Sequence, residues 1–316
     1  MPRSTDPLVA TAEARRWRIG IVVDRNDWHA RAVARALRTR GATTTLIRLE
    51  ACAFETSSPS GLRLDGFGSE LPDAVFVRSV AGGSFESVTL RLGILHALRE
   101  LGVLVWNDAR AIERCVDKST TSFALARATI PTPDTWTVQT LEAARSIVTR
   151  EAARGPLVLK PLFGSQGRGL RLIRTLDELP DPAAVAGVYY LQRFVGVERD
   201  GFHDFRLLVS RHRVVAAMMR HSTEWITNIK RGGRPVTVAA NNDMKALAVR
   251  AAAAVGADFA GVDILYDASG QATVLEVNSM PAWSGLQKVT APRIATILAD
   301  DLIDALAERA PREARV

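Results

Sequence analysis

Three oxygen-bearing side chains near the carboxyl end could hold a hard cation. Asp263 stands in Gly261-Val262-Asp263-Ile264-Leu265, and Glu276 and Asn278 stand in Val274-Leu275-Glu276-Val277-Asn278. Between these apolar runs lies Asp267-Ala268-Ser269-Gly270-Gln271, a turn composition that predicts an antiparallel hairpin. If the strands fold symmetrically about Ser269-Gly270, Asp263 falls opposite Glu276. Asn278 then shares that face, and the apolar neighbours point the other way. Carboxylates this close repel one another unless something compensates. Mg²⁺ does so with few protein carboxylates, completing its shell with water and phosphate oxygens. A half-exposed hairpin with an acidic face has the same pattern, and the hairpin alone does not choose.

A second candidate is Lys160-Pro161-Leu162-Phe163-Gly164-Ser165-Gln166-Gly167-Arg168-Gly169. A lysine ends an apolar strand and a Gly-rich loop follows. Glycines let backbone N–H groups approach phosphate oxygens, and the lysine adds a point charge. No Gly-Lys-Ser/Thr follows, and a strand rather than a helix comes next, so neither a P-loop nor a dinucleotide fingerprint is present. A plain Gly-rich turn reads the same way. A third stretch, Asn228-Ile229-Lys230-Arg231-Gly232-Gly233-Arg234, suits an anionic intermediate or a solvated loop equally. Asp204 and Arg206 alternate on one strand, and Arg220 ends the next, which ion pairing also explains. The five histidines show no ligand spacing, and no Gly-x-Ser-x-Gly elbow supports a serine nucleophile.

The elements that must position these groups follow from periodicity. Arg18–Val23, Thr43–Leu49, Ala74–Arg78 and Val103–Trp106 read as strands, with helices over 28–40 and 88–101 between them. This is a small parallel α/β unit. The Ser-, Gly- and Pro-rich segment 50–72 reads as a surface excursion. Then come a helix over 118–128, a strand 135–138, a helix 141–153 and strands 157–160 and 170–174. Strand 188–195, a hairpin about residues 210–212, a helix over 243–255, the acidic hairpin and a closing helix over 294–309 complete the chain. The expected organisation is a flexible leader 1–17, an α/β domain 18–112, two α+β subdomains over 113–187 and 188–310, and a tail 311–316.

A chain of 316 residues exceeds what one core usually serves, which agrees with several units. No apolar run can cross a bilayer and no signal peptide is visible, so a cytoplasmic protein with no membrane partner is expected. Cys52 and Cys115 are far apart and form no zinc pattern. The net charge of +7 favours acidic partners, but the arginines are scattered, so nucleic acid is not an expected partner.

Taken in order, the motifs resemble the ATP-grasp superfamily, and most closely its RimK type, which includes ribosomal-protein and coenzyme glutamate ligases. The pieces are Asp117-Lys118, Leu157-Val158-Leu159-Lys160, Gly164-Ser165-Gln166-Gly167, Leu191-Gln192-Arg193-Phe194-Val195 and Asp204-Phe205-Arg206. Thr227 to Gly233, Ala260 to Ile264 and Leu275 to Pro281 follow. The resemblance covers roughly Asp108 to Asp300. It implies an ATP-grasp fold, with an α/β N-terminal domain and ATP between two α+β subdomains. Lys118, Lys160, Gly164, Ser165, Gln166 and Gly167 would meet the nucleotide. Gln192, Arg193, Phe194 and Val195 would line the adenine, Asp204 the ribose, and Thr227, Asn228 and Lys230 the phosphates. Asp263, Glu276 and Asn278 would bind Mg²⁺, with Mn²⁺ as the alternative ion. Arg206, Arg220 and Arg231 would stabilise the acyl phosphate and the tetrahedral intermediate. Arg193 and Ile226 depart from the family's usual residues.

The implied reaction is amide formation between a carboxylate and an amine through an acyl phosphate, with release of ADP. The implied partners are a small-molecule carboxylate and an amino acid, glutamate being favoured. A methanopterin- or methanofuran-type one-carbon carrier is one acceptor and a protein C-terminus another; a nucleotide-binding regulator without turnover is the non-enzymatic alternative. Trp283 and Ser284 are expected to shape the acceptor pocket. The turn Asp24 to His29 is either a ligand edge or a polar turn with Trp28 packed inward. Association state is left open, with a homo-oligomer among the possibilities.

Overall fold

The computed structural model describes residues 16–164, 166–198 and 200–309. Ser165 and the tail 311–316 lie outside them, as does most of the segment expected as a leader. Trp17 is described, and its carbonyl accepts from the N–H of Thr43 at 2.8 Å.

The first unit contains β1 (Arg18–Val22), α1 (Trp28–Thr39), β2 (Thr43–Ile47), β3 (Ala53–Phe54), β4 (Leu62–Arg63), β5 (Ala74–Val77), α2 (Phe85–Glu100) and β6 (Leu104–Trp106). Its main sheet has the order β2-β1-β5-β6, with every pairing parallel. The α1 helix starts where the Asp27 carboxylate accepts from Ala30 N–H at 2.8 Å. Ala30, Val33, Ala34 and Leu37 bury one face, and Gly41 ends the run at φ +80. The α2 helix begins earlier than the apolar periodicity suggests, because Ser84 caps it by accepting from Ser87 N–H. The segment 50–72 is no bare excursion either. Leu62 and Leu64 are buried at 1% and 2% exposure beneath the sheet, and β3 and β4 pair as a small hairpin.

A helix absent from the sequence reading, α3 (Ala109–Val116), leads into α4 (Lys118–Arg127). Asp108 and Asp117 cap them in turn. The second sheet is built from β7 (Thr135–Val138), β8 (Leu157–Lys160), β9 (Arg171–Ile173) and β10 (Tyr189–Arg193), in the order β7-β10-β8-β9, with α5 (Leu141–Glu151) packed on one side. Strand β10 was expected to open the third unit. It instead fills the middle of the second sheet, because Tyr189 and Leu191 join Ile147, Val148 and Leu159 in one core.

The third sheet has the order β13-β12-β11-β14-β15, all antiparallel, from β11 (Phe202–Ser210), β12 (Arg213–Ser222), β13 (Arg234–Thr237), β14 (Phe259–Tyr266) and β15 (Ala272–Asn278). The helix α6 (Asn242–Val255) covers one face, burying Leu207, Val209, Val262, Ile264, Val274 and Val277. The opposite face is divided. Leu208, Ala216, Met218 and Phe259 join α1, α7 (Ser284–Gln287) and α8 (Ile294–Arg309) in a core shared with the first unit. The other end of that face is polar. Among the described residues, no helix is long and apolar enough to cross a membrane.

Asn107 ties the first unit to the third sheet. Its amide donates to the carbonyls of Phe259 at 2.7 Å and Ser279 at 2.5 Å, and its carbonyl accepts from Phe259 N–H at 2.9 Å. The side chain is fully buried, so each bond it gives up leaves a backbone group that no water replaces. Asn107→Ala is expected to destabilise the protein by about 3 kcal/mol. The denaturation midpoint would measure it, with Asn107→Asp expected to fall between the two.

Candidate active site

The polar end of the third sheet carries an alternating series of charges. Asp204 and Arg206 on β11 share a face with Arg220 on β12 and Asp263 on β14, and the register pairs Asp204 with Arg220 and Arg206 with Asp263. Arg206 grips Asp263 through two hydrogen bonds, Nε to Oδ1 at 2.5 Å and Nη2 to Oδ2 at 2.6 Å. Arg220 does the same to Asp204 and also reaches Asp263 Oδ2 at 2.9 Å. Asp204, Arg220 and Asp263 are buried. Burial by itself would push the Asp263 carboxyl up, but the two guanidiniums outweigh it and hold it down to about 2. The same burial opposes the charge on Arg220, yet Asp263 and Asp204 raise its pKa above the ordinary arginine value.

Asp263 lies directly opposite Glu276, and Gly261 opposite Asn278. That register depends on a bulge. The turn end of the hairpin runs one residue out, with Tyr266 on Ala272, and the shift between Asp263 and Ile264 restores it. The bulge also lets Val274 and Val277 both face α6 while Glu276 and Asn278 face the cleft. Glu276 is half-buried and forms no ion pair among the described residues, and the buried Asn278 Nδ2 has no partner. No three His, Cys, Asp or Glu side chains converge among the described residues. A cation here would therefore take its oxygens from Glu276, Asn278 and the lone pairs that Asp263 does not give to arginine. All are hard oxygen donors, the kind that Mg²⁺ selects.

Across a narrow cleft from Glu276 stand Lys118 and Lys160, with Thr121, Ser122 and Tyr190. Lys118 Nζ donates to the carbonyls of Leu162 and Gly164 at 3.3 and 3.0 Å, which pins the Gly-rich loop. Lys160 Nζ donates to Gln192 Oε1 at 2.6 Å. Gln192 in turn donates to Tyr190 Oη and Thr135 Oγ1, and Tyr190 Oη meets Ser122 Oγ at 2.8 Å. Burial pulls the Lys160 ammonium down to about 8; Glu276 and Asp263 oppose the shift and Lys118 adds to it. Burial also lowers Lys118, with Glu276 and Asp117 opposing.

Two loops from different sheets close over this cleft. Gly167, at φ +70, lies so near the loop after β12 that a Cβ there would meet Asn228 Oδ1 at 2.6 Å and Ile226 at 2.7 Å. Gly233 folds that second loop back on itself, since a Cβ would stand 1.9 Å from the carbonyl oxygen of Thr227. Gly167 and Asn228 therefore do meet, whereas Lys230 and Arg231 sit exposed on the next turn.

Several sequence-predicted residues are placed differently. Arg193 points away from the cleft, because neighbouring side chains on a strand face opposite ways. Its guanidinium donates to the Glu151 carboxylate at 2.5 Å and the Gly155 carbonyl at 2.8 Å. Backbone N–H groups of Arg193 and Phe194 are also taken, by the Asp134 and Pro156 carbonyls. Phe194 packs edge-on to Trp225 at 6.0 Å. Asp204, expected at the ribose, and Arg220, expected at the acyl phosphate, hold each other. Trp283 is wholly buried and belongs to the core, and only Ser284 of that pair is exposed. Tyr190, Ser122 and Thr135 were missed by the sequence reading. Strand alternation from Gln192 gives Tyr190, but Ser122 and Thr135 carry no local signal.

With this geometry in view, residues 115–304 match the RimK-like ATP-grasp domain. The chain belongs to the RimK-like ATP-grasp family. It is 32% identical over 309 residues to the tetrahydromethanopterin:alpha-L-glutamate ligase of Methanosarcina acetivorans, covering 85% of this chain and 93% of that one. It is 33% identical over 226 residues to a probable alpha-L-glutamate ligase of Alkalilimnicola ehrlichii, covering 67% and 74%. Among solved structures, ATP-grasp ligase PsnB complexed with minimal precursor, Mg and ADP aligns at a TM-score of 0.70 and 25% identity, covering 92% of this chain and 98% of that one. D-cycloserine synthetase DcsG, at 20% identity and a TM-score of 0.68, shares the fold. This RimK-like protein is thus an ATP-dependent carboxylate–amine ligase, and ATP and Mg²⁺ are the nucleotide and ion of its fold.

The Lys160 pKa gives a pH dependence. With ATP phosphates against Lys160, as the resemblance implies, their oxygens would favour the ammonium form and binding would raise a pKa that starts near 8. Affinity is then at its full value below pH 8 and falls as pH rises above it, by up to about tenfold per unit. Calorimetric titration of ATP across this range would measure the slope. Lys160→Gln is expected to flatten it and to weaken binding about tenfold or more at neutral pH.

Proposed function

We propose that this RimK-like protein joins the α-amino group of L-glutamate to a carboxylate of a small coenzyme, a one-carbon carrier of the methanopterin type. The observation that supports this best is the 32% identity to a tetrahydromethanopterin:alpha-L-glutamate ligase over 85% of this chain. Two further relatives of the same name match at 32% and 33%. The α linkage is taken from those names.

In the reading proposed, Glu276, Asn278 and Asp263 hold Mg²⁺, which when bound screens the negative charge of the triphosphate. The same oxygen set would accept Mn²⁺. Lys118, anchored on the carbonyls of Leu162 and Gly164, and Lys160, anchored on Gln192, direct their charges at the phosphates. Tyr190, Gln192 and the Val195 N–H line the base, and the loops at Gly167 and Asn228 exclude water above the phosphates. An oxygen of the acceptor carboxylate forms a bond to the γ-phosphorus as the bond to the ADP oxygen breaks, which yields an acyl phosphate. The glutamate amine then attacks the acyl carbon. The C–O bond to phosphate breaks, and the amine proton leaves with phosphate or to solvent. Arg206 lies beside Asp263 at this point, and Arg231, exposed on a turn next to Gly232, can follow the charge as it moves to the departing phosphate. No protein nucleophile is required.

ADP release is expected to need both glutamate and the coenzyme acceptor, and the product to carry one or more added glutamyl residues by mass spectrometry. Glu276→Ala should lower the rate of ADP release by about a thousandfold without loss of fold, and Asp263→Ala should lower it as far while also costing stability, because it leaves Arg206 and Arg220 without their shared carboxylate. Full activity in either variant would remove the metal assignment. ADP release with a protein C-terminus, but not with the coenzyme, would replace the acceptor.

A further inference from the structure

The turn from Asp24 to His29 lies at the carboxyl ends of β1 and β5, on either side of which the chain leaves in opposite directions. Such crevices commonly receive ligands. Here a segment of the protein enters it. His29 Nε2 accepts the backbone N–H groups of Trp283 at 3.1 Å and Ser284 at 3.2 Å. A ring nitrogen that accepts two bonds carries no proton, so the proton sits on Nδ1 and is donated to Asp27 Oδ2 at 3.0 Å. Arg78 completes the clamp, with Nη2 on Asp27 Oδ2 at 3.0 Å and Nη1 on the Met280 carbonyl at 3.3 Å.

The gripped segment runs directly from Asn278, the last residue of β15. Pro281 within it presses on β14, where a Cβ at Gly261 would meet it at 2.9 Å, and Gly261 is the strand partner of Asn278. On its far side, a Cβ at Gly285 would stand 2.4 Å from Ile229, which follows Asn228 of the phosphate loop. The segment is therefore held between the first unit and the two parts of the cleft. Cohesion alone does not call for this chemistry, since Asn107 already ties Ser279 down and the α1–α8 core joins the units. His29 and Arg78 are buried here and Asp27 is half-buried, and Arg78 Nε and Trp283 Nε1 remain without partners among the described residues. An apolar contact would be less costly.

We infer that His29 is a positioning residue: oriented by Asp27 and Arg78, it fixes the segment after β15 and so the placement of Glu276 and Asn278 at the metal. This rests on the proposed metal role of that strand. His29 acts on Asn278 through the backbone of this segment and not by a direct bond, so the effect is expected at the lower end of the ten- to hundredfold loss typical of an outer hydrogen bond to a metal ligand.

The test is the affinity of the purified full-length chain for ADP, measured by calorimetry with and without Mg²⁺. His29→Leu is expected to reduce the Mg²⁺-dependent gain in affinity by about tenfold or more, with metal-free affinity unchanged. His29→Gln, whose amide oxygen reaches the position of Nε2, should restore most of it. If His29→Leu does not fold, Asp27→Ser decides the same comparison, because it keeps the α1 cap and removes the carboxylate that sets the tautomer. A gain that survives intact in the folded Leu or Ser variant overturns the role of His29, as does equal loss with and without metal, or a Gln variant no better than Leu. A wild-type chain with no Mg²⁺-dependent gain overturns the metal assignment and the role of His29 together.

Discussion

The site depends on how the third sheet keeps four buried or half-buried charges on neighbouring strands. Asp204, Arg220, Asp263 and Arg206 alternate in sign across β12, β11 and β14. Each carboxylate is paired through both oxygens, so the desolvation cost of burial is offset locally. Removing any one member leaves an uncompensated charge in the interior. The four charges largely offset one another, and Glu276 beside them has no ion pair among the described residues. The carboxylate available to a cation is thus the one that the arginines do not reach.

The second sheet solves a related problem with neutral groups. Lys160 leans on the amide oxygen of Gln192 rather than on a carboxylate, and the chain of bonds ends on Tyr190, Ser122 and Thr135. A neutral acceptor holds the ammonium in place without satisfying its charge. The lysine therefore keeps a lowered pKa and an electrostatic preference for phosphate. Arg193, one residue along, takes the opposite course and pins the end of α5 through Glu151. Opposite faces of one strand thus separate binding from packing.

Closure of the cleft relies on the absence of side chains. Gly167 admits Asn228 and Ile226, and Gly285 admits Ile229. Side chains of the loop after β12 seat directly on glycine backbone at these points, and at Gly167 this brings the loops of two sheets together. The first unit contributes from behind, through Asn107 and His29, at the exit of β15.

The sequence by itself determined most of the elements and the presence of the acidic hairpin. Apolar runs gave the strands of all three sheets except β13, whose residues are half-buried or exposed, and the order of short motifs gave the family. The pairing of Asp263 with Glu276 was also legible, although by a symmetric turn rather than by the bulge that produces it. Tertiary structure decided which charges are free. Whether Asp204, Arg206 and Arg220 meet ligand or each other depends on strand neighbours distant in sequence, as Arg206 and Asp263 are. Placement of β10 in the second sheet likewise followed from its core partners, not from its place in the chain. His29 shows the same limit, since its two backbone partners lie 254 and 255 residues away. Local propensity acts over a few residues, whereas burial and charge compensation are settled only once distant strands are side by side.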